Sequence, residues 1–158
     1  MKPAEKLDDA RALNFIDGAY RAGNSGRSFD NVSPVDGSVI STVTEANEAD
    51  VADAVTAARA ALDGPWGKMP VAERAKLVAA IADGVTARFD DFVAAEVADT
   101  GKPVSLASHL DIPRGAANFQ IFADMAKAAH DEAFHMPTPD GTGAVNYTVR
   151  KPKGVIGV

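Results

Sequence analysis

Arg114 is the side chain whose placement most asks for a chemical partner. It stands in Leu110-Asp111-Ile112-Pro113-Arg114-Gly115-Ala116-Ala117, just after a proline that suits the first turn of a helix. A guanidinium near a helix N-terminus opposes the helix dipole, so that position wants a compensating negative charge. Two partners are open on spacing alone. One is an anion gripped bidentately, and the other is an ordinary ion pair with Asp111 or another surface acid. The remaining reactive side chains offer less. His109, His130 and His135 are the histidines, the last two flank a helix end, and no third ligand lies at metal-binding spacing. The acid pairs Asp8-Asp9, Asp90-Asp91 and Asp131-Glu132 are adjacent in sequence, and neighbours on a helix point apart, so they read as solvated faces. Gly64-Pro65-Trp66-Gly67-Lys68 lacks the frame and the following Ser or Thr of a phosphate loop. Gly154-Val155-Ile156-Gly157 carries only part of a dinucleotide fingerprint, without its third glycine or a helix to follow.

Composition narrows the classes. With 158 residues the chain suits one ordinary core. Hydrophobic residues make up 46% but aromatics only 6%, so the core is expected to consist of small side chains on closely packed helices. A formal charge of −6 weighs against a nucleic-acid partner, and Arg150, Lys151 and Lys153 form the only basic knot. The absence of cysteine removes disulfides, thiolate metal sites and a thiol nucleophile from these residues. There is no secretory apolar segment and no apolar run of the roughly 18 residues a membrane helix needs, so no membrane partner and a cytoplasmic location are expected.

The elements that must position these side chains follow from local pattern. Residues 1–13 read as a loose, charged, alanine-rich tail. Residues 14–20 read as a hairpin turning at Asp17-Gly18, residues 29–32 and 38–44 as strands, and residues 33–37 as a turn. Helical periodicity then takes over. Val51, Val55, Ala58 and Leu62 follow a cap at Asn47, and Gly64 to Gly67 breaks the pattern. Pro70 opens a second helix with Arg74, Val78, Ile81, Val85 and Phe89 along one stripe. A third helix carries Phe92, Val93 and Val97 and stops at Thr100-Gly101-Lys102-Pro103, where glycine can close it in the left-handed conformation. A fourth begins near Ile112-Pro113 with Phe119, Phe122, Ala126 and Ala129 along its stripe. Residues 137–143 are turn-rich, residues 145–150 alternate as an exposed strand, and residues 155–158 have the unbroken apolar texture of a strand covered on both faces. No neighbour for that last strand is evident among the preceding residues.

Five stretches in order, "NFIDGAY", "NVSPVDGSVISTV" running into "ADVADAVTAARAAL", "WGKMPVAERAKL", "ADTGKP" and "YTVRKPKGVIGV", resemble the N-terminal third of an NAD(P)-dependent aldehyde dehydrogenase. The segment "DIPRGAANF" further resembles the branch that oxidises muconic semialdehydes in aromatic catabolism. The resemblance implies an α/β fold class and an incomplete portion of the family fold. Its parts would be a small antiparallel β start, four helices, one oligomerisation-type strand and the first strand of a Rossmann-like sheet. The implied divisions are a tail at 1–13, part of the cofactor-binding domain at 14–136, a loop and oligomerisation-type strand at 137–153, and a truncated dinucleotide-sheet strand at 154–158. It also implies a thiolate attack on an aldehyde, hydride transfer to NAD or NADP, and release of the acid by a carboxylate-activated water. The cysteine, the general-base glutamate, the oxyanion asparagine and the pyrophosphate glycines of that mechanism match no residue here, so the chain alone is expected to be an inactive fragment without tight cofactor binding. Within the chain, Arg114 matches a position that would hold the far carboxylate of a semialdehyde. The Val32 carbonyl and Asp99 match positions lining a monovalent-cation site in some relatives. A homodimer or homotetramer is implied for the whole enzyme. The alternative reading is a non-enzymatic helical module for interaction or oligomerisation.

Overall fold

A computed structural model describes residues 11–158. The β start is built from three strand pairings. β2 (Asn14–Ile16) and β3 (Ala19–Arg21) form a hairpin whose two turn residues, Asp17 at φ 53° and Gly18 at φ 76°, both take the left-handed geometry that matches strand twist. Phe15 and Tyr20 face each other across it edge-to-face, with ring centroids 5.0 Å apart. β4 (Ser28–Val32) and β5 (Val39–Thr44) pair antiparallel, and the register shifts between Asn31 and Val32. β1 (Arg11–Ala12) adds to β5 in parallel, giving the order β1-β5-β4. The expected tail is therefore corrected at its end, because the free edge of β5 offers backbone partners to Arg11 and Ala12. Its earlier part lies outside the described residues.

Helix α1 (Glu48–Asp63) starts as expected at Asn47, whose side chain accepts from the Asp50 N–H while Asp50 accepts from the Asn47 N–H. Where a break was expected, Pro65 seeds one helical turn, α2 (Pro65–Lys68). α3 (Val71–Ala87) follows Pro70, and α4 (Phe89–Thr100) closes at Gly101 with φ 68°. Phe89 thus opens α4 instead of ending the stripe of α3.

The last helical region departs most from expectation. It starts with α5 (Val104–Leu106), passes through a π turn (Ala107–Asp111) and runs straight into α6 (Ile112–Ala128). The Ile112 N–H reaches back five residues to the Ala107 carbonyl. A proline cannot donate in the helical ladder, and a widened turn just before Pro113 accommodates the missing donor.

α3 packs chiefly against α6. Ala75 and Ala82 on α3 and Ala123 on α6 are buried, as is Ala107 in the π turn, so the core is made of small side chains as composition indicated. The apolar stripe expected on α6 is corrected. Phe119 and Phe122 are exposed, Ala129 lies past the helix end, and Ala123 supplies the buried contact, since a methyl group lets the helix axes approach most closely.

β6 (Ala133–Met136) is a strand that periodicity did not reveal; it pairs antiparallel with β7 (Ala144–Tyr147). Glu132 and Thr148 extend the hairpin through the Thr148 N–H and the Glu132 N–H, each bonded at 2.9 Å. Residues 151–158 form no strand and are exposed, and the sheet partners that the resemblance implies for 154–158 are not among the described residues. None of the seven strands among the described residues lies alongside them to complete a ladder.

Candidate functional site

The charged cluster around the π turn holds the best candidate. Lys102 follows the left-handed Gly101 that ends α4, and its ammonium spans from α4 to the π turn. Lys102 Nζ donates to Glu96 Oε1 at 2.8 Å and to Asp111 Oδ2 at 3.0 Å. Those two hydrogen bonds, Glu96 foremost, hold the ammonium above the ordinary lysine range. Asp111, with its side chain only 15% exposed, also approaches Arg114, whose Nη2 stands 3.6 Å from Asp111 Oδ1.

That placement changes the physical reading of Arg114. It does not lie in the first turn of a helix, because the helical run begins near Val104, so no N-terminal dipole opposes its charge. The partner among its neighbours is Asp111, one of the two possibilities spacing left open. The separation is too long for a hydrogen bond, and the Arg114 side chain is 65% exposed. It makes no side-chain hydrogen bond among the described residues. Arg114 is therefore only loosely tethered.

Beside this cluster, α3, the start of α4 and α6 enclose a groove of about 420 Å³. Val85, Phe89, Ile112 and Pro113 supply apolar walls, and Asp83 and Gln120 add polar groups. Its Ile112 and Pro113 directly precede Arg114 in the chain, so a charged group lies beside an apolar trough.

Val32 and Asp99, the second pair of predicted residues, are linked through one intermediary. Asn31 Nδ2 donates to Asp99 Oδ1 at 2.7 Å, which ties α4 to β4 at the residue before Val32. Asp99 Oδ1 is thus engaged by an amide N–H, beside the register shift between Asn31 and Val32. No group of three or more His, Cys, Asp or Glu side chains able to hold a metal occurs among the described residues. His135 lies in β6 opposite Val145, while the His130 carbonyl accepts from Arg150 Nη2 at 2.6 Å.

Gly154, at φ 103°, and Gly157 lie in an exposed segment outside any helix or strand. No helix of the described residues is long and apolar enough to cross a membrane.

Sequence reasoning missed Lys102 and Glu96 as parts of the cluster. Lys102 had been read only within a helix-stop motif, and its two acids lie six and nine positions away, separations that no single helical period brings together.

Comparison with known proteins places these features. The chain is 63% identical over 145 residues to a 2-hydroxymuconic semialdehyde dehydrogenase of Pseudomonas sp. (strain CF600), covering 92% of this chain and 30% of that protein. It is 46% identical over 145 residues to a 2-aminomuconic 6-semialdehyde dehydrogenase of Pseudomonas sp., covering 92% of this chain and 29% of that one. A solved aldehyde dehydrogenase from Bacillus cereus in complex with NAD+ superimposes with a TM-score of 0.73 at 30% identity, over 78% of this chain and 28% of the other. The chain thus spans about 30% of the length of the curated relatives it matches. Residues 20–158 match the aldehyde dehydrogenase family across nearly all of the described fold, and the chain belongs to that family.

Proposed function

We propose that this chain is the N-terminal part of an NAD(P)-dependent dehydrogenase that oxidises a carboxylate-bearing semialdehyde of aromatic catabolism to the acid. The observation that carries this reading is the 63% identity to a 2-hydroxymuconic semialdehyde dehydrogenase. In it, Arg114 receives the carboxylate remote from the reacting aldehyde. A planar guanidinium with uncommitted donors suits a bidentate carboxylate, and its loose tether to Asp111 leaves those donors free. NAD or NADP supplies the hydride acceptor, held by parts of the enzyme other than these residues. The nucleophile also lies elsewhere, since the chain has no cysteine.

Two measurements test the reading. The purified 158-residue chain is expected to produce no NADH from any aldehyde; steady production would overturn it. In the full-length enzyme, Arg114→Ala is expected to raise KM for a carboxylate-bearing aldehyde by about tenfold, the scale of a lost charge-assisted hydrogen bond. An unchanged KM for that substrate would end the role given to Arg114.

Val32 and Asp99 belong to a structural monovalent-cation site on the same reading, with Asp99 supplying a carboxylate oxygen and Val32 its carbonyl. Melting of the full-length enzyme in sodium, in potassium and in a bulky organic cation decides this: equal melting temperatures would count against it. The full-length enzyme is taken to be cytoplasmic and a homodimer or homotetramer. Residues 147–150, which continue from the end of β7, are the stretch taken to pair with another subunit.

A further inference from the structure

We propose that Lys102 is a positioning residue that keeps Arg114 available to an anion by holding Asp111 away from it. The inference rests on the reading of Arg114 as the carboxylate receptor.

Asp111 is the natural competitor for the Arg114 guanidinium. It lies three residues earlier on the same helical surface, the spacing at which side chains meet. Left to itself, a carboxylate there would close on the guanidinium in a short, two-pronged pair and occupy the donors a substrate needs. Lys102 prevents this. It takes Asp111 Oδ2 at 3.0 Å, leaving Oδ1 at 3.6 Å from Arg114 Nη2, outside hydrogen-bond range.

The surrounding backbone fixes this geometry. Lys102 is held on its other side by Glu96 at 2.8 Å, so its ammonium bridges the two acids. Asp111 is the last residue of the π turn, and its side chain is largely enclosed while that of Arg114 is mostly in solvent. The enclosed acid is thus satisfied by a partly exposed base, and the more exposed guanidinium is left only loosely paired. A widened turn at this point rotates Asp111 relative to the straight helix beyond it, and such turns recur where a side chain must be re-aimed for function.

Lys102 and Asp111 then have opposite effects on the same constant, a pattern that general loss of structure does not produce. In the full-length enzyme, Lys102→Met is expected to raise KM for a carboxylate-bearing aldehyde about threefold, within the range of a partly exposed ion pair. KM for a neutral aldehyde of equal length, and kcat for both, are expected to stay unchanged. Asp111→Asn is expected to lower KM for the carboxylate-bearing aldehyde, and combined with Lys102→Met to bring it back near the wild-type value. Lys102→Arg is expected to retain wild-type behaviour. If Lys102→Met raises KM equally for charged and neutral aldehydes, Lys102 merely supports the fold and the proposal falls. If Lys102→Met fails to fold, Asp111→Asn alone decides: a raised or unchanged KM for the carboxylate-bearing aldehyde overturns the proposal. If Arg114→Ala raises KM for the carboxylate-bearing aldehyde while Lys102→Met has no effect, the receptor stands and only this inference fails. If Arg114→Ala has no effect, the receptor reading fails with it.

Discussion

Asp50 carries more of this fold than any other single side chain. It is buried, yet each of its charge-bearing oxygens is used: Asn24 N–H approaches Oδ1 at 3.0 Å and Oδ2 at 3.1 Å, and Asn47 N–H donates to Oδ2 at 2.9 Å. A capping residue is thereby also the anchor of a loop 26 positions earlier. Asp50→Ala strands two backbone donors in a partly dry setting and is expected to cost about 2–4 kcal/mol in denaturant unfolding. A loss below a few tenths of a kcal/mol would show that water replaces the carboxylate freely. Asp36 and Lys102 are two of the exposed groups whose hydrogen bonds make stability depend on pH. The Ser38 hydroxyl, then the Ser38 N–H, hold Asp36 below the ordinary 3.8, so its contribution is present above that value and is lost as pH falls through the lowered one. Lys102 is raised above 10.5, mainly by Glu96 and then Asp111, so its contribution is complete below 10.5 and is lost as pH rises through the raised value. Following Lys102 Nζ by NMR is expected to show its titration move down in Asp111→Asn; an unmoved titration would mean that the two groups do not interact in solution.

Among the elements, the ends of α1 and α4 are written locally and the middle of the last helical region is not. Asn47 with an acid three residues later is a capping signal, and Gly101 before Lys102-Pro103 is a stop signal; both stand where their chemistry predicts. Gly101→Ala forces a Cβ into the left-handed region and to within 3.0–3.1 Å of Val35 and Pro34, so a loss of about 1–2 kcal/mol in unfolding is expected. A neutral result would mean that α4 frays without penalty. The π turn was hidden because Pro113 reads as a helix start. A proline tolerates the first turn of a helix and also the position just after a widened one, and only the path of the preceding residues distinguishes the two. β6 was hidden for a similar reason, since four residues give too little alternation to separate a strand from a helix end.

For the whole molecule, the notable property is how little of its large apolar surface is covered. No large side chain among the described residues is fully buried, and Phe122, Ile121 and Met125 are exposed together on α6. A contiguous apolar patch of this kind drives association. The isolated chain is expected to sediment with a mass that grows with concentration, and Phe122→Lys with Met125→Lys to suppress that growth. A wild-type chain that stays monomeric at all concentrations would refute this.

The sequence by itself determined the three helices α1, α3 and α4, the caps of α1 and α4, the hairpin at Asp17-Gly18, the alanine core and the family to which the chain belongs. These depend on near neighbours, on side-chain volume or on the order of local motifs, all of which are properties of the sequence string. Tertiary structure decided that Arg11 and Ala12 join β5, that Asp50 holds Asn24, that α6 turns an alanine rather than its phenylalanines towards α3, and that Lys102 stands between Glu96 and Asp111. Each of these is a meeting of groups from different elements. Such meetings are fixed by how closely backbones approach and where charges find partners, and no periodicity within one element records that.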